Sequence, residues 1–379
     1  MKITALSSSD SGFSIELFEN ADFVAIHGNC TVRPETLGLD RLRSQVHGAT
    51  SCLGAMTASG VTEAVSFFAI EDPSGAFGTS MEAFGDKPKD AARAATLAAL
   101  QAADRIGEAP ELILVASTPG FEEAVLEGIE SVSGPSVPII GGSAADNSVS
   151  GEWFVFDQAR QIESGVIVTV MFPSRPVSFA YHNGYAPSSR SGTVTRLSGR
   201  SILEIDNRPA LDVYREWTEA SVTAAPGMGE CQSILSDSTL WPLGRKMSEL
   251  DGVSSYLLTH PAVAHGDGSI DLFATVQEGE VLTQMTGTES GLVNRAGRVA
   301  TLARAAGRME HEPIAGALMV YCGGCMLSVR DRLDDVVNGV SSALGGAPFL
   351  GTFTFGEQGQ IVGAGNRHGN LMISCIVFS

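Results

Sequence analysis

The feature that most constrains this chain is an internal repeat at a spacing of 205 residues. Residues 91–98 (AARAATLA) and 296–303 (AGRVATLA) are identical at six of eight positions. The same order continues further along each copy. The apolar run 112–115 (LILV) corresponds to 317–320 (ALMV). After an insertion of five residues, the run 138–142 (PIIGG), which begins with proline, corresponds to 348–352 (PFLGT). Matching order and spacing across these segments indicate that one structural unit occurs twice.

Each copy has the pattern helix, strand, helix, strand. The strands are continuous apolar runs, which is typical of strands buried on both faces of a sheet. Helices between such runs favour β-α-β crossovers. The sequence therefore predicts an α/β protein in which duplicated helix–strand–helix–strand units form two related α/β domains with mixed sheets. A weaker third copy begins at residues 23–26 and reaches residues 48–54.

The composition changes between the two clear copies. Residues 218–250 are rich in Ser, Gly and Met and contain two prolines. Such a segment is typical of a connection between domains. We therefore predict an N-terminal domain over residues 1–217, a connecting arm over 218–250 and a C-terminal domain over 251–379.

Charge and composition narrow the class of partner. The 379 residues carry 24 Lys and Arg against 43 Asp and Glu, a formal net charge of −19. Such a field repels phosphate backbones and anionic lipid, so it disfavours nucleic acid and membrane surfaces as partners. No apolar stretch reaches the roughly 18 residues of a membrane span, and the N-terminus lacks the apolar core of a signal peptide. We expect a soluble, cytoplasmic protein with six reduced cysteines.

Two of those cysteines, Cys322 and Cys325, form a CxxC motif. The motif directly follows a predicted buried strand and begins a predicted helix. A helix N-terminus stabilises a thiolate, so we expect a low pKa at the first cysteine. The motif is compatible with thiol-disulfide redox chemistry, or with Cys325 serving only as a small turn residue. No second CxxC or histidine pair has the spacing of a zinc finger.

The loops after the main strands form the predicted binding site. Glycines there let backbone approach a ligand, and polar side chains are available to hold it. The alternative is that the glycines serve tight turns and the polar residues cap them. Because ligands of α/β sheets bind beyond the carboxyl ends of strands, we predict one shared cavity lined by residues of these loops: Ser117, Thr118, Gly141, Gly142, Ser143, Asp146, Asn147, Cys322, Gly323, Thr354, Phe355 and Glu357.

Seven segments in this order resemble the FIST family, with its paired FIST N and FIST C domains. They are 72–78 (DPSGAFG), 139–147 (IIGGSAADN), 205–214 (IDNRPALDVY), 258–261 (LTHP), 268–271 (GSID), 321–325 (YCGGC) and 349–357 (FLGTFTFGE). The resemblance implies a sensory, signal-transduction module that binds a small molecule such as an amino acid and acts with a separate partner, for example a histidine kinase. The chain has no spacing typical of a catalytic triad, so we expect binding rather than catalysis.

The resemblance also implies an alternative ligand, since some members are haem-binding nitric-oxide sensors. His27, His260, His265 and His368 are the candidate axial ligands in this sequence. A lone histidine at a strand end is more often structural. The sequence has no CxxCH motif, which excludes covalent c-type haem.

Overall fold

The strands of this protein form where the sequence has continuous apolar runs. The computed structural model describes residues 1–250 and 252–379. The runs Leu112–Ser117, Gly316–Cys322 and Ile373–Phe378 are buried along their whole length, as expected for strands covered on both faces. The strands assemble into three sheets of six and one sheet of nine.

A first structural unit spans residues 2–71. Its strands are β1 (Lys2–Ser7), β2 (Phe23–Gly28), β3 (Gln45–Thr50), β4 (Ala55–Thr57), β5 (Gly60–Thr62) and β6 (Ser66–Glu71). Short 3-10 helices at Ile15–Phe18, Pro34–Thr36 and Leu39–Arg41 lie where the later units have α-helices. This is the weaker third copy of the sequence repeat.

A second unit spans residues 76–172. Its elements are β7 (Ala76–Ala83), α1 (Pro88–Ala102), β8 (Leu112–Ser117), α2 (Glu122–Ser133), β9 (Ile139–Ser143), β10 (Val155–Phe156), β11 (Gln161–Ile162) and β12 (Gly165–Phe172). Ala92, Ala95 and Ala99 of α1 are fully buried, because small side chains let the helix pack closely on the sheet.

A third unit begins with β13 (Val177–His182) and is then interrupted by a long insertion. The insertion contains β14 (Ala186–Ser198), β15 (Ser201–Ile205), β16 (Arg208–Pro209), α3 (Ala210–Trp217), β17 (Cys231–Ser233), α4 (Leu235–Ser238), β18 (Leu243–Leu250), β19 (Val253–Thr259), β20 (Pro261–His265), β21 (Ile270–Leu272) and β22 (Val281–Thr286). Its nine strands form the largest sheet. The domain boundary predicted at residues 217–218 falls inside this insertion and stays a prediction.

The third unit resumes after the insertion. It continues with α5 (Glu289–Ala306), β23 (Gly316–Cys322), α6 (Gly323–Ser328), α7 (Leu333–Ala343), β24 (Phe349–Thr354), β25 (Glu357–Ile361), β26 (Gly365–Gly369) and β27 (Ile373–Phe378), with a 3-10 turn at Arg330–Arg332 before α7. Arg200 ties the insertion to the second unit, with ion pairs of 2.8 Å to Glu122 and 2.7 Å to Glu123.

The three six-stranded sheets have the same strand order. In each, two parallel strands lie at the centre, two antiparallel strands flank one side, and a hairpin completes the other: β1-β6-β2-β3-β10-β11, β7-β12-β8-β9-β25-β26 and β13-β27-β23-β24-β4-β5. The duplication predicted from the sequence is therefore confirmed, and so is the α/β class with mixed sheets.

The hairpin of each sheet comes from a different unit. The first unit gives β4-β5 to the third, the third gives β25-β26 to the second, and the second gives β10-β11 to the first. Three backbone hydrogen bonds repeat this cyclic exchange just beyond the central strands. Cys52 N–H donates to Phe353, Ala145 N–H to Thr50 and Phe355 N–H to Ser143, at 2.9, 3.0 and 3.2 Å.

The inner faces of the three sheets share one core. Phe68 of the first unit packs against Phe378 of the third, and Phe23 packs against Phe77 of the second, with ring centroids 5.9 Å apart in both pairs. The α-helices cover the outer faces. Within the part of the chain that the structure describes, no helix is both long and apolar enough to span a membrane.

Candidate functional site

A cavity of about 440 Å³ lies beyond the carboxyl ends of β23 and β24. Three parts of the chain form its walls: the third unit, the insertion, and the loop between β9 and β10 of the second unit. Its apolar walls are Val149, Leu235, Leu240, Phe273, Leu327 and Phe355, and its polar side chains are Ser236, Thr239, His260, Glu289, Cys322, Ser328, Thr354 and Asn370. An apolar cavity with a few polar groups is the usual form of a small-molecule site.

Asn370 lines this cavity and carries a buried donor without a partner among the described residues. Its side chain is 2% exposed, and its Oδ1 accepts a hydrogen bond of 3.3 Å from the backbone N–H of His260. Its Nδ2 has no hydrogen-bond partner among the described residues. A buried donor without a partner costs about 1–3 kcal/mol. The bond from His260 fixes the orientation of the amide, and its buried Nδ2 group keeps unused hydrogen-bonding capacity.

His260 supplies an acceptor in the same cavity. Its Nε2 lies 3.1 Å from the carbonyl oxygen of Leu235, so this nitrogen carries the proton and donates it. Burial lowers the pKa of the ring to about 4, although the hydrogen bond to Leu235 opposes the shift. The imidazole is therefore neutral at neutral pH, and the lone pair of Nδ1 has no hydrogen-bond partner among the described residues.

Thr354 and Glu357 form a buried pair at one wall. Thr354 lines the cavity, and its Oγ1 lies 2.9 Å from Glu357 Oε1. The other carboxyl oxygen accepts a bond of 3.0 Å from the N–H of Met372. Burial raises the pKa of Glu357 well above its usual value, against these two hydrogen bonds. Glu357 thus lies behind Thr354 and fixes its orientation.

The two thiols of the CxxC motif have different surroundings. Cys322 lines the cavity, whereas Cys325 is fully buried behind it. Burial would raise the pKa of Cys325, but the neighbouring Cys322 thiol and the Arg295 guanidinium, with help from Tyr185, lower it to about 6. Burial raises the pKa of Cys322 well above normal. The expectation of a low pKa at the first cysteine is therefore wrong, because the Cys322 thiol is buried and the cation lies beside Cys325.

Asp146 and Asn147 organise the loop that carries Val149 into the cavity. The Asp146 carboxylate accepts hydrogen bonds from five successive backbone N–H groups, at residues 148–152. Asn147 Oδ1 accepts a bond of 2.8 Å from the N–H of Leu53. Val149 has φ +57°, an unfavourable value for a β-branched residue. The carboxylate holds this strained backbone in place.

The remaining residues of the predicted site lie at varied distances from the cavity. Gly323 approaches it closely, since an added Cβ would lie 3.5 Å from the Phe355 ring. Ser143 N–H donates to Gly356 at 2.8 Å, and its hydroxyl donates to Glu122 at 3.0 Å. Gly141 and Gly142 line a separate space of about 20 Å³.

Ser117 and Thr118 belong to the strand ends of the second unit. Both are almost fully buried, and the Thr118 hydroxyl accepts a bond of 3.0 Å from the N–H of Gly165. The structure thus brings Cys322, Thr354 and Phe355 together at the cavity. Ser117 and Thr118 do not contribute to its wall.

Asn370 and Arg295 were not predicted as site residues from the sequence. Asn370 had no visible signal, because its role depends on the cavity that surrounds it. Arg295 did have one: it occurs on the helix face that also carries Leu292, Val299 and Ala303, all of them buried. A lone arginine on an apolar helix face indicates a buried cation that needs a partner.

The four candidate haem ligands are dispersed. His27 faces the 20 Å³ space, His265 pairs with Asp271 at 2.8 Å, and His368 is buried beside Gln358. Of these four, only His260 lines the cavity beside Cys322, and its Nε2 already donates to Leu235. Glu289 is the one charged residue in the described lining, so no cation there faces a propionate. These residues do not fit haem. Among residues 1–250 and 252–379, no cluster of three or more His, Cys, Asp or Glu has the arrangement of a metal site.

Comparison with known proteins places the chain in a family. It matches the FIST N domain over residues 37–208 and the FIST C domain over residues 210–360. It is also similar to the uncharacterized protein MJ1623 of Methanocaldococcus jannaschii, with 28% identity over 81 residues, which are 21% of this chain and only 16% of that protein's length. The alignment with a structure of PurLQS from Thermotoga maritima covers 80% of this chain and 72% of that chain at 8% identity. Its TM-score of 0.21 is too low to support any argument. The two domain matches together span most of the sequence, and the chain belongs to the FIST family, whose paired domains are sensory domains.

Proposed function

We propose that this protein senses a small molecule by binding it in the cavity beside Cys322. The observation that carries this proposal is the Nδ2 group of Asn370, a buried donor left without a partner in the described structure. His260, whose Nδ1 is an acceptor, lines the same cavity. A donor and an acceptor in an otherwise apolar space suit a ligand with an apolar body and one polar end.

The charge of the wall narrows the ligand class. Glu289 is half exposed and pairs with Arg332, 3.5 Å away, which is not among the described lining residues; Glu289 is the only charged side chain among them. A carboxylate there disfavours a ligand with net negative charge and attracts an ammonium group. Among amino acids, those with an apolar side chain fit best, with the carboxyl group toward Asn370 and the ammonium group toward Glu289 and His260.

Signalling follows from the construction of the cavity. Its walls belong to the second unit, the third unit and the insertion, so a ligand that contacts all three favours one relative arrangement of them. A partner such as a histidine kinase would recognise that arrangement. The resemblance to sensory domains supports this part of the proposal.

Titration calorimetry with L-leucine and L-aspartate tests the proposal, because the two are similar in size and differ in charge. We expect L-leucine to bind and L-aspartate to bind at least tenfold more weakly. Replacing Asn370 by Leu removes the donor and should weaken L-leucine binding about tenfold to a hundredfold. Stronger binding of L-aspartate, or full affinity in Asn370→Leu, would contradict the proposed ligand class.

A further inference from the structure

Arg295 is a buried cation without a carboxylate partner in the described chain. Its side chain is 2% exposed. Nη2 donates to the carbonyl oxygen of Leu371 at 2.7 Å, and Nη1 lies 3.4 Å from the sulfur of Cys325. The guanidinium also packs over the rings of Tyr185 and Tyr321, 5.6 and 5.9 Å from their centroids. A guanidinium this deeply buried requires a negative charge beside it.

Five ionisable groups surround Arg295 or its immediate neighbours, and only one is suited to carry that charge. Burial raises the pKa of Tyr185, Tyr321, Cys322 and Glu357. Cys325 is the exception, with a pKa lowered to about 6. Tyr185 supports the assignment, because its hydroxyl lies 3.4 Å from the Cys325 sulfur. The counter-ion of Arg295 is therefore the Cys325 thiolate.

We infer that Cys322 and Cys325 are a redox site at which a hydroperoxide that enters the cavity oxidises the two thiols to a reversible disulfide. Cys322 is the N-cap residue of helix α6 and Cys325 is its third residue, and side chains at these two positions lie side by side at a helix N-terminus. Cys322 faces the cavity and Cys325 lies behind it. One thiol is therefore placed to meet the oxidant and the other to complete the disulfide.

The chemistry uses this difference. Cys322 transfers its proton to the Cys325 thiolate as its sulfur attacks the hydroperoxide. The O–O bond breaks, an alcohol leaves after taking a proton from solvent, and Cys322 becomes a sulfenic acid. Cys325 then attacks that sulfur, the S–O bond breaks, and hydroxide leaves with the Cys325 proton as water. The sulfurs lose two electrons, and the hydroperoxide gains them.

Oxidation would also alter the cavity. The disulfide removes the negative charge beside Arg295, whose other hydrogen bond holds the carbonyl of Leu371. Leu371 follows Asn370, which lines the cavity. The oxidation state of the two cysteines is thus connected to the position of the proposed ligand donor. The inference about the disulfide itself does not depend on whether the cavity binds an amino acid.

The test exposes the reduced 379-residue chain to hydrogen peroxide, blocks the remaining thiols and maps the cysteines by peptide mass spectrometry. We expect a Cys322–Cys325 disulfide to form before the exposed Cys231 is oxidised, and dithiothreitol to reverse it. Cys325→Ser should form no disulfide and should oxidise Cys322 more slowly, because the thiolate that accepts the Cys322 proton is lost; dimedone then traps the Cys322 sulfenic acid. Oxidation of Cys231 while Cys322 and Cys325 remain free thiols would overturn the inference.

Two further variants separate this chemistry from simple exposure. Arg295→Met should slow disulfide formation at least tenfold. Tyr185→Phe removes a single hydroxyl and should slow disulfide formation severalfold, and it serves as the test if Arg295→Met does not fold. Cys375→Ala is the matched control, because Cys375 is also fully buried but lies in β27. The surroundings of Cys325 do not promote the reaction if its rate is unchanged in both variants. If Arg295→Met is unfolded, an unchanged rate in Tyr185→Phe alone leads to the same conclusion.

Discussion

The guanidinium of Arg295 lies 3.4 Å from the sulfur of Cys325, and this contact links helix α5 to the short helix α6. Removing one member of a buried ion pair costs about 3–5 kcal/mol, because the other charge stays buried. Cys325→Ala should therefore lower the free energy of unfolding by about that amount in urea titrations. The double variant Arg295→Met with Cys325→Ala should lose less than the sum of the single variants.

Cys375→Ala provides the control for this cycle. Cys375 is equally buried, but its surroundings only raise the pKa of its thiol through burial. Its removal leaves a small apolar cavity and should cost only about 1 kcal/mol. Strict additivity of the Arg295 and Cys325 substitutions would show that the two residues are not an ion pair.

Acid should unfold the protein earlier than its carboxylates alone predict. Burial lowers the pKa of His27 and His260 from 6.5 to about 4, and it lowers the pKa of His47 well below its usual value. The unfolded chain takes up these protons and the folded chain does not. Their stabilising contribution is thus complete above pH 6.5 and is lost as the pH falls toward 4. For His260 the loss is up to about 3 kcal/mol.

His260→Gln tests this contribution, because the amide can still donate to Leu235. Between pH 6.5 and 4.5, the free energy of unfolding of the variant should fall less steeply than that of the wild type, as measured in urea. Parallel pH profiles would mean that His260 titrates normally in the folded protein.

Glu357 should have the opposite pH dependence. Its raised pKa means that the folded protein holds a proton that the unfolded chain has released. The contribution is complete below pH 4.5 and is lost as the pH rises through the raised pKa. Glu357→Gln keeps a neutral group that can bond to Thr354 and Met372. At pH 6 it should differ from the wild type by less than about 1 kcal/mol.

The variant Glu357→Gln should then lose less stability than the wild type between pH 6 and pH 9. Thermal or urea unfolding across this range measures the difference. A wild-type profile no steeper than that of the variant would show that the Glu357 carboxyl is ionised throughout.

The exchanged hairpins require glycine in the strands that receive them. Gly48 of β3 pairs with Phe156 of β10, and a Cβ at Gly48 would overlap the Phe156 ring. Gly48→Ala should therefore destabilise the protein by about 1–3 kcal/mol. Gly339→Ala is the control: an added Cβ in helix α7 meets nothing within 4 Å, and the better helix propensity should stabilise by up to about 1 kcal/mol. Equal stability of the two variants would argue against tight packing between the units.

Sequence patterns predicted the repeated unit because its central strands are long and apolar. The parallel pairs β8-β9 and β23-β24 could be inferred from runs such as residues 112–115 and 317–320. The hairpin exchange could not be inferred. Strands β4 and β10 have only three and two residues. These lengths are too short to show the alternating hydrophobic pattern of a strand, and the strand with which each pairs depends on the packing of the whole molecule.

Part of the candidate site could be predicted because it lies at the ends of long apolar strands. Cys322, Thr354 and Phe355 end or follow apolar strands, so their place at a strand end was visible. Asp146 was visible too, but its five backbone partners depend on a loop conformation that the sequence does not reveal. Asn370 and His260 meet only because Asn370 Oδ1 accepts the His260 N–H across 110 positions of the chain. Contacts of this kind come from tertiary structure.

The affinity of two helical glycine variants for L-leucine tests most directly whether the cavity beside Cys322 is the sensory site. A Cβ at Gly324 would lie 3.6 Å from His260 Cε1 and 3.7 Å from the Cys322 sulfur, so Gly324→Ala fills the polar corner of the cavity without a clash. Gly339→Ala adds the same methyl group where nothing lies within 4 Å. By titration calorimetry, Gly324→Ala should bind at least tenfold more weakly than the wild type, and Gly339→Ala should bind equally well. Wild-type affinity in Gly324→Ala, or no binding by the wild type, would contradict the assignment of this cavity as the sensory site.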